Sequence, residues 1–89
     1  MTIAAVIPAR NEAKHIRSVI ERTLPFVDYV IVVDDGSTDD TVGVARAVYH
    51  SKVVAIKHSV NLGKGAALMT GCDAAVRLKA DAMVSLDAD

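Results

Sequence analysis

Four short apolar runs, Ile3 to Ile7, Tyr29 to Val33, Val53 to Lys57 and Ala82 to Leu86, are rich in Val, Ile or Leu and end in polar or turn-forming residues. Runs of this length and content predict buried strands. Three longer segments between them carry helical spacing: Ala13, Ile16, Ile20 and Leu24, then Thr41, Ala45, Val48 and Tyr49, then Leu68, Cys72, Ala75 and Val76. Each predicts a helix with one apolar stripe. Asn11 stands before the first helix, and Ser37-Thr38-Asp39-Asp40 has the Ser-x-x-Asp form of a capping box before the second. Pro25 and the Gly63/Gly65 pair are expected in connections.

Strand alternating with helix three times implies right-handed crossovers and a parallel sheet, so the expected fold class is α/β, a βαβαβαβ sheet flanked by helices in the Rossmann-like manner. In such sheets ligands bind at the carboxyl ends of the strands, near the point where strand order reverses. This chain puts "PARNE", "DDGSTDD", "HSVNLGKG" and "DAD" after its four strands. All four ends are polar or charged, and three carry carboxylates.

Asp34 and Asp35 are adjacent at the end of the second run, and like charges there repel unless positive or hydrogen-bond-donating groups meet them. A ribose diol, a base N–H or a lysine would serve; the alternative is that one aspartate caps a turn with Gly36 while the other faces water. Gly63 and Lys64 open the third helix, where flexible backbone and a cation suit an anion or the polar edge of a base, or where a loop needs only glycine torsions. The spacing excludes a Walker loop, and Ala66 stands where no hydroxyl can hold magnesium. It also excludes a dinucleotide fingerprint, because the glycines follow the third strand and not the first. Asp87 and Asp89 flank the small Ala88, an Asp-x-Asp that can clamp a hard cation, Mg²⁺ or Mn²⁺, with water and diphosphate oxygens completing the shell; the alternative is a solvated strand end. Glu12 suits either a ligand or the first turn of a helix. Arg10 lies near the same mouth.

Composition narrows the classes. Of 89 residues, 52% are apolar but only 3% aromatic, so the core is built from aliphatic side chains, as in helix-covered parallel sheets. A net charge of −1 gives no footprint for nucleic acid or an anionic membrane. The single cysteine, Cys72, excludes an internal disulfide and is expected as a core thiol. His15, His50 and His58 are dispersed and suggest neither a zinc site nor a Ser-His-Asp triad; His15 and His50 are expected on the surface, His58 at most along the cleft. No signal peptide and no membrane span are legible, so the chain reads as soluble and cytoplasmic.

Together "VIPARNE", "VIVVDDGSTDDT", "NLGKGAAL" and "SLDAD", in this order, resemble the nucleotide-binding half of family 2 glycosyltransferases with the GT-A fold, across nearly the whole chain. The resemblance implies a metal-dependent, inverting transfer from a UDP- or GDP-sugar. Pro8, Ala9, Asn11 and Glu12 would wall the base and ribose, and Asp35 or Asp34 would contact the base. Gly63 and Lys64 would border the base and ribose side of the pocket, Asp87 would sit by ribose and metal, and Asp89 would be the principal ligand of Mg²⁺ or Mn²⁺. The Asp-Ala-Asp spelling resembles the dolichol-phosphate mannose and glucose synthases, implying a lipid-phosphate acceptor and a parent enzyme at the cytoplasmic face of a membrane. The family continues past Asp-x-Asp with the acceptor site and general base, so residues 1–89 are expected to be the donor-binding part of a larger enzyme, inactive alone, and to self-associate through uncovered surface. The competing readings are a nucleotidyltransferase-like domain, disfavoured because "PARNEAKHI" has no glycine, and a non-catalytic α/β module.

Overall fold

The computed structural model describes residues 1–48 and 50–89; Tyr49, assigned above to the second helical stripe, lies outside the described residues. The strands are β1 (Ile3–Ala9), β2 (Tyr29–Asp35), β3 (Val53–His58) and β4 (Ala82–Ser85), and the helices α1 (Ile16–Thr23), α2 (Thr41–Ala47) and α3 (Lys64–Arg77). The four strands form one parallel sheet in the order β3-β2-β1-β4. The chain winds outward from β1 through β2 to β3, then returns to place β4 on the other side of β1. The order therefore reverses between β1 and β4.

Alternation along each strand divides the core. Ile7, Val30 and Val32 pack with Ile16, Val19 and Ile20 of α1 and Ala45 of α2, while Ala4, Val6, Ile31 and Val33 pack with Ala67 and Ala75 of α3. Successive strand residues point to opposite faces and helices cover both, so β1 is apolar throughout and β2 is apolar from Val30 to Val33 before its two aspartates. Pro8, which has no N–H for a ladder, lies beyond the stretch of β1 paired with β4 (Ile3–Val6).

Several local expectations are corrected. The buried residues of α3 are Ala67, Gly71 and Ala75, whereas Val76 is 69% exposed and Cys72 is a free thiol at the surface. A Cβ on Gly71 would stand 2.2 Å from Val6 Cγ1, so α3 lies too close to β1 for a larger side chain there; Met69 and Val76 turn outward, while Leu68 is partly buried against the same core. Gly65 is in the first turn of α3 and not in the connection before it, whereas Gly63 and Pro25 do lie in connections, Pro25 within a short 3₁₀ turn, Leu24–Phe26. β4 ends at Ser85 although Leu86 N still donates to Val6 O at 3.0 Å. Neither expected cap forms: α1 begins after His15 and α2 after Asp40, both without side-chain cap bonds. Asn11 and Ser37 join two loops instead. Exposed apolar side chains include Met69 and Val76 on α3 and Met83 and Val84 on β4. Among the described residues, no helix is long and apolar enough to cross a membrane.

Candidate nucleotide and metal site

The two aspartates of β2 follow the alternation of their strand. Asp34 points with Val30 and Val32 to the α1/α2 face. There it is fully buried, with Oδ1 accepting from Ser37 N at 3.0 Å and Oδ2 from Val42 N, in the first turn of α2, at 3.1 Å. Asp35 points to the α3 face, where Oδ1 accepts from Leu62 N at 2.9 Å and from His58 Nδ1 at 2.9 Å, and Oδ2 from Gly63 N at 2.8 Å. The repulsion that adjacency threatened is offset by separate sets of donors on opposite faces of one sheet. Each carboxylate ties the end of β2 to the start of a different helix, where N–H groups and the helix dipole favour negative charge.

A second set of bonds locks the loop after β1 to the loop after β2. Asn11, in the left-handed region at φ 56°, accepts through Oδ1 from Thr38 N and Thr38 Oγ1, and its own N–H donates to Ser37 Oγ. Glu12 N donates to Thr41 Oγ1 and Ala13 N to Asp39 Oδ2. Much of the polar run after β2 thus serves architecture. It holds the backbone of Arg10 to Glu12 at the sheet's carboxyl edge.

That edge borders a cavity of about 420 Å³ at the switch point. Pro8, Ala9, Arg10 and Glu12 line it from the end of β1, Asp35 from β2, Asn61, Gly63, Lys64 and Ala67 from the start of α3, and Asp87, Ala88 and Asp89 from beyond β4. Eight sequence-derived candidates, Pro8, Ala9, Glu12, Asp35, Gly63, Lys64, Asp87 and Asp89, therefore converge here. Asn11 and Asp34, also expected at the base and ribose, do not line it: Asn11 Oδ1 and both Asp34 oxygens are engaged in holding loops and a helix. Asn61 was missed; its Oδ1 accepting from Gly63 N at 3.1 Å is an Asx-type turn legible in "NLG".

Asp87 and Asp89 are both exposed and face the same cavity across Ala88, which is 6% exposed and packs into the core. Lys64 Nζ lies 3.2 Å from Asp87 Oδ1. Among the described residues, no group of three or more His, Cys, Asp or Glu is placed so that it could hold a metal ion. Two exposed carboxylates on one cavity wall fit a hard cation bound through one or two protein oxygens with the remainder from water and a phosphorylated ligand, the manner typical of Mg²⁺.

Two carboxyls are shifted. For Asp35, burial raises the pKa, but the His58 ring and the Leu62 and Gly63 N–H groups outweigh it, and the net value is lowered from 3.8. Asp39 is lowered from 3.8 chiefly by the Thr41 hydroxyl, with burial opposing and the Ala13 N–H assisting. A carboxyl with a depressed folded pKa stabilises the fold above its unfolded value and loses that contribution as pH falls through the folded one. The urea midpoint is therefore expected to hold steady on acidification until about pH 4 and to fall below 3.8. A decline already complete between about pH 7 and 5 would contradict this assignment.

Comparison with known proteins agrees with this arrangement. The model of the family described as "Glycosyl transferase family 2" matches residues 4–89. A UDP-N-acetylglucosamine–dolichyl-phosphate N-acetylglucosaminyltransferase of Methanococcus voltae is 37% identical over 98% of this chain and 41% of its own length. An undecaprenyl-phosphate 4-deoxy-4-formamido-L-arabinose transferase of Edwardsiella ictaluri is 31% identical over 98% of this chain and 29% of its own. Glucosyl-3-phosphoglycerate synthase of Mycobacterium tuberculosis, solved with Mn²⁺ and UDP-glucose, superposes with a TM-score of 0.76 at 36% identity, covering 99% of this chain and 33% of that one. The chain spans less than half the length of these relatives. With its sheet order, its cavity at the switch point and the match over residues 4–89, it belongs to glycosyl transferase family 2.

Proposed function

We propose that this chain binds the nucleotide-sugar donor of a sugar-transferring enzyme, with UDP as the nucleotide and a divalent cation, Mg²⁺ or Mn²⁺, at Asp87 and Asp89. The observation that carries the reading is the convergence of eight candidate residues from four strand ends on one cavity. Pro8 and Ala9 supply an apolar wall for base and ribose, and Glu12 an acceptor for ribose hydroxyls. Asp35 argues for uracil over guanine. Oδ1 already accepts two hydrogen bonds and Oδ2 one, which leaves a single acceptor position. The lone imide N–H of uracil needs one; the paired N–H donors of guanine need both oxygens. Lys64 and Arg10 line the same cavity and bring to it positive charge that suits a diphosphate. A bound cation would act as Lewis acid toward the departing nucleoside diphosphate.

The names of two relatives favour a polyprenyl-phosphate acceptor for the whole enzyme; reaction at the cytoplasmic face of a membrane and inversion at the sugar carbon are part of the same proposal and rest on the family resemblance alone. The test is calorimetric titration of the 89-residue chain with UDP-glucose and GDP-mannose, with and without Mn²⁺, beside Asp89→Asn. UDP-glucose is expected to bind in a Mn²⁺-dependent manner, GDP-mannose more weakly, and Asp89→Asn to weaken UDP-glucose about tenfold or more, the scale of one lost charge-assisted contact. Equal affinity of wild type and variant with Mn²⁺ present would remove Asp89 from the metal site.

A further inference from the structure

His58 closes β3 directly beside Asp35 in the sheet register, and the two side chains meet on the α3 face. Its ring is 11% exposed; Nδ1 lies 2.9 Å from Asp35 Oδ1 and Nε2 2.8 Å from Thr70 Oγ1 on α3. The ionised carboxylate only accepts, so Nδ1 carries the hydrogen that joins them. The Thr70 hydroxyl can donate or accept and serves Nε2 in either case. The ring is thus held at both nitrogens, one by the nucleotide cavity and one by the helix behind it.

We propose that His58 is a positioning residue for the donor site: held by Thr70, it fills Oδ1 of Asp35 and so leaves one acceptor position, on Oδ2, for the base. This rests on the reading of Asp35 as the base contact. The other two donors to Asp35, Leu62 N and Gly63 N, both belong to the loop before α3, Gly63 being the residue that precedes the helix. His58 is the donor that comes from the rigid sheet. Without it Oδ1 regains a free position and the carboxylate is steered by the loop alone, so it can offer both oxygens to a guanine edge. His58 therefore also sets how sharply one base is preferred to another, through Asp35 and without touching the ligand.

Two near-isosteric substitutions separate the ring's two contacts. His58→Asn keeps an amide donor close to the position of Nδ1 and gives up Thr70; His58→Gln keeps a group near Nε2 and gives up Asp35. The chain with Asn is expected to bind UDP close to wild type. The chain with Gln is expected to bind UDP about tenfold more weakly, with a smaller preference for UDP over GDP. In the ligand-free proteins, the Asp35 side-chain carboxyl followed by NMR should titrate at higher pH in the Gln variant and be unchanged in the Asn variant. Equal losses in both variants with an unchanged UDP-to-GDP ratio would reduce His58 to packing and overturn the proposal. An Asp35 titration indifferent to the Gln substitution would overturn it as well. Failure of the wild-type chain to bind UDP would overturn the donor reading and the base-preference half of this one, while the ligand-free titration would still decide whether His58 positions Asp35.

Discussion

Asp34→Ala is expected to cost this chain about 3–5 kcal/mol, the scale for removing one partner of a buried charged interaction. The carboxylate is fully buried, and both of its oxygens accept from backbone N–H groups, of Ser37 and Val42. Alanine leaves those donors without partners inside the α1/α2 core, where each unsatisfied group costs roughly 1–3 kcal/mol. A domain of this size has a total stability near the lower end of about 5–15 kcal/mol, so the variant is expected to be largely unfolded at 37 °C. Asp34→Asn should recover part of the loss, because one amide oxygen can still accept. Urea unfolding followed by circular dichroism measures both. An Asp34→Ala midpoint within error of wild type would mean that water replaces the carboxylate and that β2 and α2 need no such tie.

The same pair of aspartates marks how far the sequence could be read. Four strands, three helices and polar strand ends on one edge follow from apolar runs and turn residues, and the structure has the elements and a cavity at that edge. Alternation along β2 also implies that Asp34 shares a face with Val32 and Asp35 with Val33. Which face meets which helix depends on the crossovers, so the division into one structural and one cavity-lining carboxylate was out of reach. Asn11 was read as a cap because it precedes a helix, yet asparagine tolerates the left-handed region and bonds readily to nearby backbone N–H groups, as it does here to Thr38. On α3 the apolar stripe was drawn through Leu68, Cys72, Ala75 and Val76; Ala75 is buried and Leu68 partly so, but close approach to β1 selects Ala67 and Gly71 where Cys72 and Val76 were expected. Hydrophobicity scales miss this, since contact distance and not transfer energy chose the buried side. His58 carried one usable signal: it continues the face of Val54 and Ile56, which pack toward α3.

Gly36→Ala is expected to be comparably damaging, for a reason that no capping or turn rule captures. Gly36 follows the two aspartates with φ +70°, and a Cβ there would stand 2.4 Å from Asn61 N and 2.5 Å from Val60 C. The obstacle is backbone and not a flexible side chain. The loop after β2 and the loop before α3 are therefore in direct contact, and they cannot part without pulling on Leu62 and Gly63, whose N–H groups hold Asp35. Left-handed torsion alone costs an alanine roughly 1–2 kcal/mol; displacing the second loop adds the weakening of those charge-assisted bonds, each worth about 1.5–3 kcal/mol. A fall of about 3 kcal/mol or more in stability is expected, with loss of UDP binding even in whatever fraction stays folded. Gly36→Asn separates the two causes. Asparagine adopts positive φ readily but still carries a Cβ, so if close approach dominates it should fail nearly as badly as alanine. An asparagine variant with glycine-like unfolding and UDP affinity would show that torsion was the whole requirement and that the two loops can slide apart without disturbing Asp35.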